Sequence, residues 1–287
     1  MSIELLNNVK AKLNNKRITS LKEFKSLLWP DIQGLKNFSG LEYFEFFRGQ
    51  ALDTYKLESG LARETKDPSI MQQIDEELQS KFVSDYYKDN IQKLEDSVKK
   101  NISPNFVKEW KLYFQSQHLG LKTRLLDWTI NWRIGLMFAL GKEKDFGKDG
   151  QLWIFFCPKK WRYGPSIEDE YYSVSPFSIE IPYMINMAFL YNKNWSFQTG
   201  LLRAARQNGR LFILPYDKAI TPMEKTEEIN KFLVKLIIDG DSKEQIQKDL
   251  FDEENIDFDW AMYRQEEKVD DILNEINTEV ITKYRNL

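Results

Sequence analysis

Residues 115–140 read QSQHLGLKTRLLDWTINWRIGLMFAL and contain the chain's only histidine, His118. The apolar spacing before this residue and Gly120 after it predict a helix that ends near His118. Residues 123–129 are typical of a short extended segment, and residues 131–140 predict a second, apolar helix that stops at the glycine after it. Polar residues therefore lie between two apolar elements, so this stretch is expected at the centre of the fold.

Two charged residues in this stretch require a partner. Arg124 and Asp127 alternate with large apolar side chains, namely Leu125, Leu126 and Trp128. A charge in such surroundings is tolerated when it is paired or when it binds a charged ligand. Arg124 and Asp127 therefore belong either to a binding site or to a buried ion pair.

Composition limits the classes of protein. The chain has 287 residues, of which 42% are hydrophobic, so it can bury a large core. One cysteine and one histidine exclude an intramolecular disulfide and most zinc sites. The N-terminal residues lack the apolar core of a signal peptide, and no apolar run approaches the ~20 residues of a membrane span. We expect a cytoplasmic protein with no membrane partner.

The charge is unevenly distributed. The formal net charge is -3, but residues 181–214 contain four cationic residues and no acidic residue, whereas acidic residues dominate from 223 to 287. The basic segment either binds an anion or pairs with the acidic C-terminal part. Its cations are Lys193, Arg203, Arg206 and Arg210.

A second polar group follows an aromatic strand signal, LEYFEFF, at residues 41–47. The strand is expected to end on Arg48, Gly49 and Gln50. An arginine at a strand end can point into a cleft, and the glycine allows a sharp turn or close approach of a ligand. Alternatively, Arg48 caps carbonyl groups or pairs with Glu45.

The remaining pattern is a mixture of helices and strands. A capping box at residues 19–23 opens an amphipathic helix, and residues 69–100 predict a long helix with a buried apolar stripe. Strands are predicted at 150–157, 209–214 and 232–238, so Gln207 stands at a strand entrance. Short helices are predicted at 181–190, 244–252 and 267–280.

Several common chemistries have no sequence signature here. The chain lacks a GxxxxGK[ST] phosphate loop, a GxGxxG turn, an HExxH zinc motif and a GxSxG nucleophile elbow. A serine–histidine–acid triad would have to use His118 with a serine that nothing in the spacing selects.

Four segments resemble one family. FFRGQ at residues 46–50 with LESGLARE after it, and QHLGLKTRLLDWT at 117–129 followed by GLMFA, resemble the two signature motifs of the FRG domain, named for its aromatic-Arg-Gly segment. RAARQNGRLFI at 203–213 resembles the third block, and KFLVKLIID through FDEENIDFD resembles the closing region. The resemblance covers roughly residues 38–260. Residues 57–59 depart from it, because the family commonly has a proline there.

The motif order of FRG domains is similar to that of ADP-ribosyltransferase-like folds. This resemblance implies that Arg48 contacts the phosphates or ribose of NAD, that Thr129 shapes the nicotinamide pocket, and that Gln207 occupies the position of a glutamate. The glutamate of such enzymes stabilises an oxocarbenium-like transition state, whereas an amide supplies the hydrogen bond without the charge.

The resemblance and the pattern together predict one α+β domain, with a mixed or antiparallel central sheet and surrounding helices in an ADP-ribosyltransferase-like arrangement. Residues 1–37 are expected as a helical decoration, 38–260 as the FRG domain, and 261–287 as a helix packed on it. One cleft is expected to collect the site. Its predicted catalytic residues are Arg48, His118, Asp127 and Gln207, and its predicted NAD-binding residues are Arg48, Gly49, Gln50, Arg124, Thr129 and Arg203.

Two functions from different classes follow. The first is an NAD-consuming enzyme that transfers ADP-ribose to a protein or nucleic acid or hydrolyses NAD, with a toxin or phage-defence effector as its biological setting. The second is a non-catalytic domain that senses a nucleotide or binds a partner. No metal is expected in either.

Overall fold

A mixed β-sheet carries most of the residues singled out above. The computed structural model describes residues 3–28, 43–86, 107–163, 174–178, 184–186, 207–256 and 269–285. Within these residues the strands are β1 Lys16–Ile18, β2 Tyr43–Gln50, β3 Leu126–Thr129, β4 Gly150–Pro158, β5 Arg162–Tyr163, β6 Met184–Asn186, β7 Gly209–Ile213 and β8 Leu233–Ile238. They pair in the order β1-β8-β4-β2-β3-β7-β6-β5.

Helices surround this sheet. Within the same ranges they are α1 Ile3–Leu13, α2 Leu21–Leu27, α3 Pro68–Lys81, α4 Val107–Leu119, α5 Trp132–Leu140, α6 Tyr216–Ala219, α7 Glu227–Asn230, α8 Lys243–Glu254 and α9 Val269–Arg285. Ser20 is the N-cap of α2, because its hydroxyl accepts a hydrogen bond from the Glu23 amide at 3.1 Å, whereas the Glu23 carboxylate accepts from the Thr19 amide and not from that of Ser20. Asn131 caps α5 in the same way, and Gly141 ends it with φ of 75°.

The α+β expectation is confirmed. β1 runs parallel to β8 and β5 parallel to β6, whereas the other neighbours are antiparallel, so the sheet is mixed. The ADP-ribosyltransferase-like arrangement stays a prediction. Both expected domain boundaries, near 37 and near 260, lie outside the described residues.

Strand β2 is paired unequally on its two sides. All eight of its residues are in register with β4, from Tyr43 opposite Pro158 to Gln50 opposite Gln151. With β3 the described residues share one pair, Phe47 opposite Thr129. The two strands therefore diverge beyond Phe47, and Arg48 lies where the divergence begins.

Strand β2 ends at Gln50, within the segment expected to close it, and Gly49 lies inside the strand rather than in a sharp turn. The glycine serves helix packing. A Cβ at Gly49 would lie 2.0 Å from the carbonyl oxygen of Gly135 and 2.3 Å from the amide nitrogen of Ala139. Helix α5 thus packs its backbone directly on β2, which requires glycine at this position.

The opposite face of the sheet is aromatic and concave. The Phe155 ring lies 5.2 Å from the rings of Trp128 and Phe212, measured between centroids. Two strands separate β4 from β7 in the sheet, so the sheet must curve strongly for Phe155 and Phe212 to meet. We call this the aromatic face, and the face that contacts α5 the helix face.

The described part of one predicted helix is a strand. Residues 184–186 of the expected helix 181–190 form β6, which pairs with β7. The apolar run was too short for its periodicity to separate the two structures. The long helix predicted at 69–100 is described to Tyr86, with a π-helical turn at Phe82–Tyr86 after α3.

None of the helices in the described ranges is long and apolar enough to cross a membrane.

Candidate functional site

The divergence of β2 and β3 brings Arg48 to Asp127. The Arg48 Nη1 atom donates a hydrogen bond to the main-chain oxygen of Asp127 at 2.5 Å and lies 3.9 Å from its carboxylate oxygen Oδ2. The arginine side chain is 17% exposed, whereas the aspartate side chain is 54% exposed. Arg48 is thus fixed by the backbone of β3, and the Asp127 carboxylate remains open to solvent.

Helix α4 positions the carboxylate from the other side. The Gln117 side-chain amide donates to Asp127 Oδ2 at 3.1 Å, and its oxygen accepts from the Thr123 hydroxyl at 2.5 Å. His118 follows Gln117 in the last turn of α4. The end of α4 therefore lies beside the Arg48–Asp127 contact, as the expectation of one cleft requires.

Burial lowers the pKa of Arg48. Desolvation lowers the pKa of the guanidinium, the Asp127 carboxylate opposes this, and the nearby charge of Arg63 adds to the lowering. An arginine stays protonated at neutral pH even so. The Arg48 cation is partly buried and has one carboxylate at 3.9 Å, so binding of a further anion would stabilise its charge strongly.

Thr129 and Gln207 meet on the next strand pair. The Thr129 hydroxyl donates to the main-chain oxygen of Gln207 at 2.6 Å and accepts from the Asn131 amide at 3.0 Å. The Thr129 hydroxyl is therefore engaged both as a donor, to the turn before β7, and as an acceptor, from the residue that caps α5. Thr129 faces α5 with Phe47, to which it is paired.

Gln50 and Gly49 have structural surroundings. The Gln50 side-chain amide donates to the Lys56 oxygen at 3.1 Å, and its oxygen accepts from Gln151 at 2.9 Å. Gly49 is closed off by α5, as described above. Since both residues are occupied within the fold, we leave them out of the site that we propose below.

Arg124 is the centre of a buried network away from Asp127. Its side chain is fully buried, and Nε lies 3.5 Å from Oδ2 of Asp75, which is 1% exposed. The guanidinium also donates to the Leu214 oxygen at 2.8 Å and to the Pro176 oxygen, and it stacks on Tyr216 at 3.7 Å from the ring centroid. Of the two alternatives for Arg124, the geometry favours the ion pair, with Asp75 rather than Asp127 as partner.

Two tyrosines complete the network. Tyr113 donates to both carboxylate oxygens of Asp75, at 2.9 and 2.7 Å, and Tyr216 donates to Oδ2 at 3.1 Å. Burial raises the pKa of Asp75 to about 6, although Arg124 and both tyrosines act in the opposite direction. The sequence carries a signal for this residue, because Asp75 lies four residues after Met71 on the apolar stripe of α3.

The raised pKa of Asp75 predicts a pH dependence of stability. Between about pH 4, the ordinary value, and about pH 6 the folded protein holds a proton that the unfolded chain releases. The contribution of Asp75 to the free energy of unfolding is therefore expected to fall by about 2–3 kcal/mol as pH rises through this window and to stay constant above it. Carboxylates with a lowered pKa, such as Asp149 and Glu254, act in the opposite direction, so the effect of Asp75 is the difference between the wild type and the Asp75→Asn variant. Urea unfolding of both proteins from pH 4 to 7 measures this difference; a difference that does not change with pH would refute the assignment.

Arg203 lies outside the described residues, so its position relative to Arg48 stays a prediction.

A separate open groove of about 1030 Å³ lies between the end of α5 and helix α8. Its lining, which includes Lys144, Phe251 and Ile256, contains none of the predicted site residues.

Comparison with known proteins identifies part of the chain. The sequence model of one protein family, the FRG domain, matches residues 45–148 of the chain. No curated protein and no solved structure matches the chain. The match covers most of β2 and all of α4, β3 and α5, and so includes the Arg48–Asp127 contact. The chain therefore contains an FRG domain, and its candidate site lies within the matched residues.

Proposed function

We propose that this FRG domain binds NAD and cleaves its bond to nicotinamide. In this reaction the bond between C1′ of the ribose and the nicotinamide nitrogen breaks, and the electron pair leaves with nicotinamide. An oxygen of water or of a macromolecular acceptor, protein or nucleic acid, forms the new bond to C1′ and loses its proton. The contact of Arg48 with Asp127 is the observation that carries the proposal.

Arg48 suits the pyrophosphate of NAD. Its guanidinium is held by the Asp127 main-chain oxygen through Nη1, while Nε has no hydrogen-bond partner in the part of the chain that the structure describes. Arginine donors match phosphate oxygens in geometry and charge. The pyrophosphate would therefore meet a preorganised cation and would not have to displace a strong carboxylate contact.

Asp127 suits the developing positive charge on the ribose. Its carboxylate is exposed, it is oriented by Gln117, and it lies beside the cation that would hold the phosphates. Fixed charges placed where charge develops are a large source of rate enhancement. Gln207, close to Thr129, supplies a neutral amide for a ribose hydroxyl.

The proposal is tested by incubating the purified chain with NAD, with and without cell extract. Release of nicotinamide without extract indicates hydrolysis, and transfer of labelled ADP-ribose to extract components indicates a macromolecular acceptor. A chain that binds NAD but releases no nicotinamide under either condition would support the second candidate, a nucleotide-sensing domain. The amide at Gln207, in place of a carboxylate, is the observation that favours this candidate.

A toxin or phage-defence role extends the first candidate and rests on the family resemblance alone. Induced expression in cells, followed by measurement of growth and of cellular NAD, would test that extension. Loss of NAD before growth stops is the expected result.

Arg48→Ala is expected to reduce the affinity for ADP-ribose by about 10–100-fold, because a charge-assisted bond to phosphate is worth about 1.5–3 kcal/mol. The melting temperature should stay within a few degrees, since a partly exposed arginine contributes about 1 kcal/mol or less. Calorimetric titration with ADP-ribose and a thermal melt measure the two effects. The matched control is Arg133→Ala, which removes an arginine of α5 that pairs with Glu254 of α8. Unfolding of Arg48→Ala would instead assign Arg48 a structural role.

A further inference from the structure

The aromatic face carries a row of cations and indoles across five strands. Trp153 on β4 is directly opposite Arg48 on β2 and, on its other side, Lys235 on β8. Trp128 on β3 is directly opposite Arg210 on β7. Directly opposed residues of antiparallel strands point to the same face, with Cβ atoms about 5 Å apart. Because Phe47 pairs with Thr129, Arg48 and Trp128 both lie on the opposite face, and in strand order the row reads Arg210, Trp128, Arg48, Trp153, Lys235.

Three N–H groups in the middle of this row lack an acceptor. In the described ranges no hydrogen-bond partner is found for Nε of Arg48 or for Nε1 of Trp128 and Trp153, although all three atoms are buried. Trp128 is 2% exposed and Trp153 is 7% exposed. A buried donor without a partner is costly, and most buried polar groups are satisfied. Three such donors on neighbouring strands therefore indicate a place for an acceptor that the described part of the chain does not supply.

Another buried tryptophan provides the contrast. Trp110 in α4 is 0% exposed, and its Nε1 donates to the Val174 oxygen at 2.9 Å. Burial of an indole in this fold is thus compatible with a satisfied N–H group. Among these three buried indoles, the two beside Arg48 are the ones whose N–H groups lack an acceptor in the described ranges.

One unpartnered acceptor lies on the same face. Oε1 of Gln151 is buried without a partner, while its amide group donates to Gln50 at 2.9 Å and to the Tyr55 oxygen. These two bonds fix which end of the amide is the oxygen. Gln151 precedes Trp153 by two residues on β4, a separation of about 7 Å along a strand. A ligand hydroxyl at that distance from the three donors would satisfy it.

We infer that the N–H groups of Arg48, Trp128 and Trp153 bind one phosphate of a phosphorylated sugar whose hydroxyl donates to Gln151. The ligand must be an acceptor for three donors, and the neighbouring cations select a negative charge. Lys235 adds a cation whose Nζ lies 5.8 Å from the Trp153 ring centroid. This inference rests on the proposed function in taking Arg48 as the phosphate-binding residue, and it adds the two tryptophans and Gln151 as binding residues.

The indole N–H groups allow a direct test by NMR. The chain has eight tryptophans, so the ¹⁵N-labelled protein gives a small set of indole signals that Trp→Phe variants assign. On titration with ribose 5-phosphate or ADP-ribose, the signals of Trp128 and Trp153 are expected to shift and saturate, while that of Trp110 stays. Ribose should shift neither, and inorganic phosphate should act at higher concentration than ribose 5-phosphate. Equal affinities for these two phosphates would overturn the assignment of a phosphorylated sugar.

The variants supply a second readout. Trp128→Phe and Trp153→Phe each remove one donor and keep an aromatic ring, and each is expected to weaken ADP-ribose binding about 10-fold or more. Trp110→Phe should leave binding unchanged and lose more stability than either, because it also loses its bond to Val174. Unshifted Trp128 and Trp153 signals while Arg48-dependent binding persists would overturn the inference and leave the proposed function standing. Shifted signals without nicotinamide release from NAD would support the inference and refute the catalytic proposal.

Discussion

Replacing Arg124 with methionine is expected to lower the free energy of unfolding by about 3–5 kcal/mol, because it leaves the Asp75 carboxylate buried without its cation. Asp75 is 1% exposed and keeps two tyrosine hydroxyls as its remaining partners. The substitution also removes the stacking on Tyr216 and the bonds to two main-chain oxygens. Urea unfolding at pH 7 measures the loss.

The matched control is Arg133→Met on helix α5. Arg133 pairs with Glu254 at 2.6 Å, but its side chain is 37% exposed, so the pair is expected to contribute less than about 1 kcal/mol. Similar losses for the two variants would contradict the structural role of Arg124 and return it to the ligand-binding candidates. A loss several times larger for Arg124→Met would confirm that this arginine holds the fold.

Local patterns predicted the elements around the site well. The end of α4, the short strand β3 and the helix α5 depend on signals within a few residues, such as the Asn131 cap and the positive φ of Gly141. The contact of Arg48 with the segment before Thr129 was also predicted, because the family motifs place both in one site. The local elements need no information on which distant residues meet, whereas the contact of Arg48 with this segment was expected from the family resemblance.

The partner of Arg124 could not be predicted in the same way. Asp127 is three residues away, whereas Asp75 comes from α3 and meets Arg124 through tertiary packing. An acid on an apolar stripe signals that a buried partner exists, but the stripe does not say which cation supplies it. The role of Gly49 could not be predicted for a related reason, since it is set by close packing against Gly135 and Ala139 of the distant helix α5.

The row of cations and indoles on the aromatic face was not predicted, because the pairing of the strands was unknown. The run GQLWIFFC predicts a strand buried on both sides, and such a run does not reveal which residues share a face with Arg48. The register of β2 with β4 supplies that information by placing Trp153 opposite Arg48. Alternation and burial can be estimated from one sequence, whereas the register of the strands requires the fold.

Asp127→Asn is expected to slow nicotinamide release by about 10²–10³-fold if the domain consumes NAD, because it removes the charge placed to stabilise the developing cation. The variant is close to isosteric. The bond from Arg48 goes to the main-chain oxygen of Asp127, and Gln117 can donate to the oxygen of an asparagine. Binding of ADP-ribose should therefore change by no more than a few-fold, so a rate loss with retained binding separates catalysis from folding and affinity.

Gln207→Glu is the counterpart of this variant and should cost less rate than Asp127→Asn. The contact of Gln207 with Thr129 uses its main-chain oxygen, so the new carboxylate does not break it. If Asp127 already supplies the negative charge, a second carboxylate adds little to the stabilisation of the transition state and repels the first. Nicotinamide release by the wild type and both variants decides between the two functions. Activity that appears in Gln207→Glu alone would refute the enzyme assignment, because it would mean that the native amide leaves the domain able to bind the nucleotide and unable to cleave it.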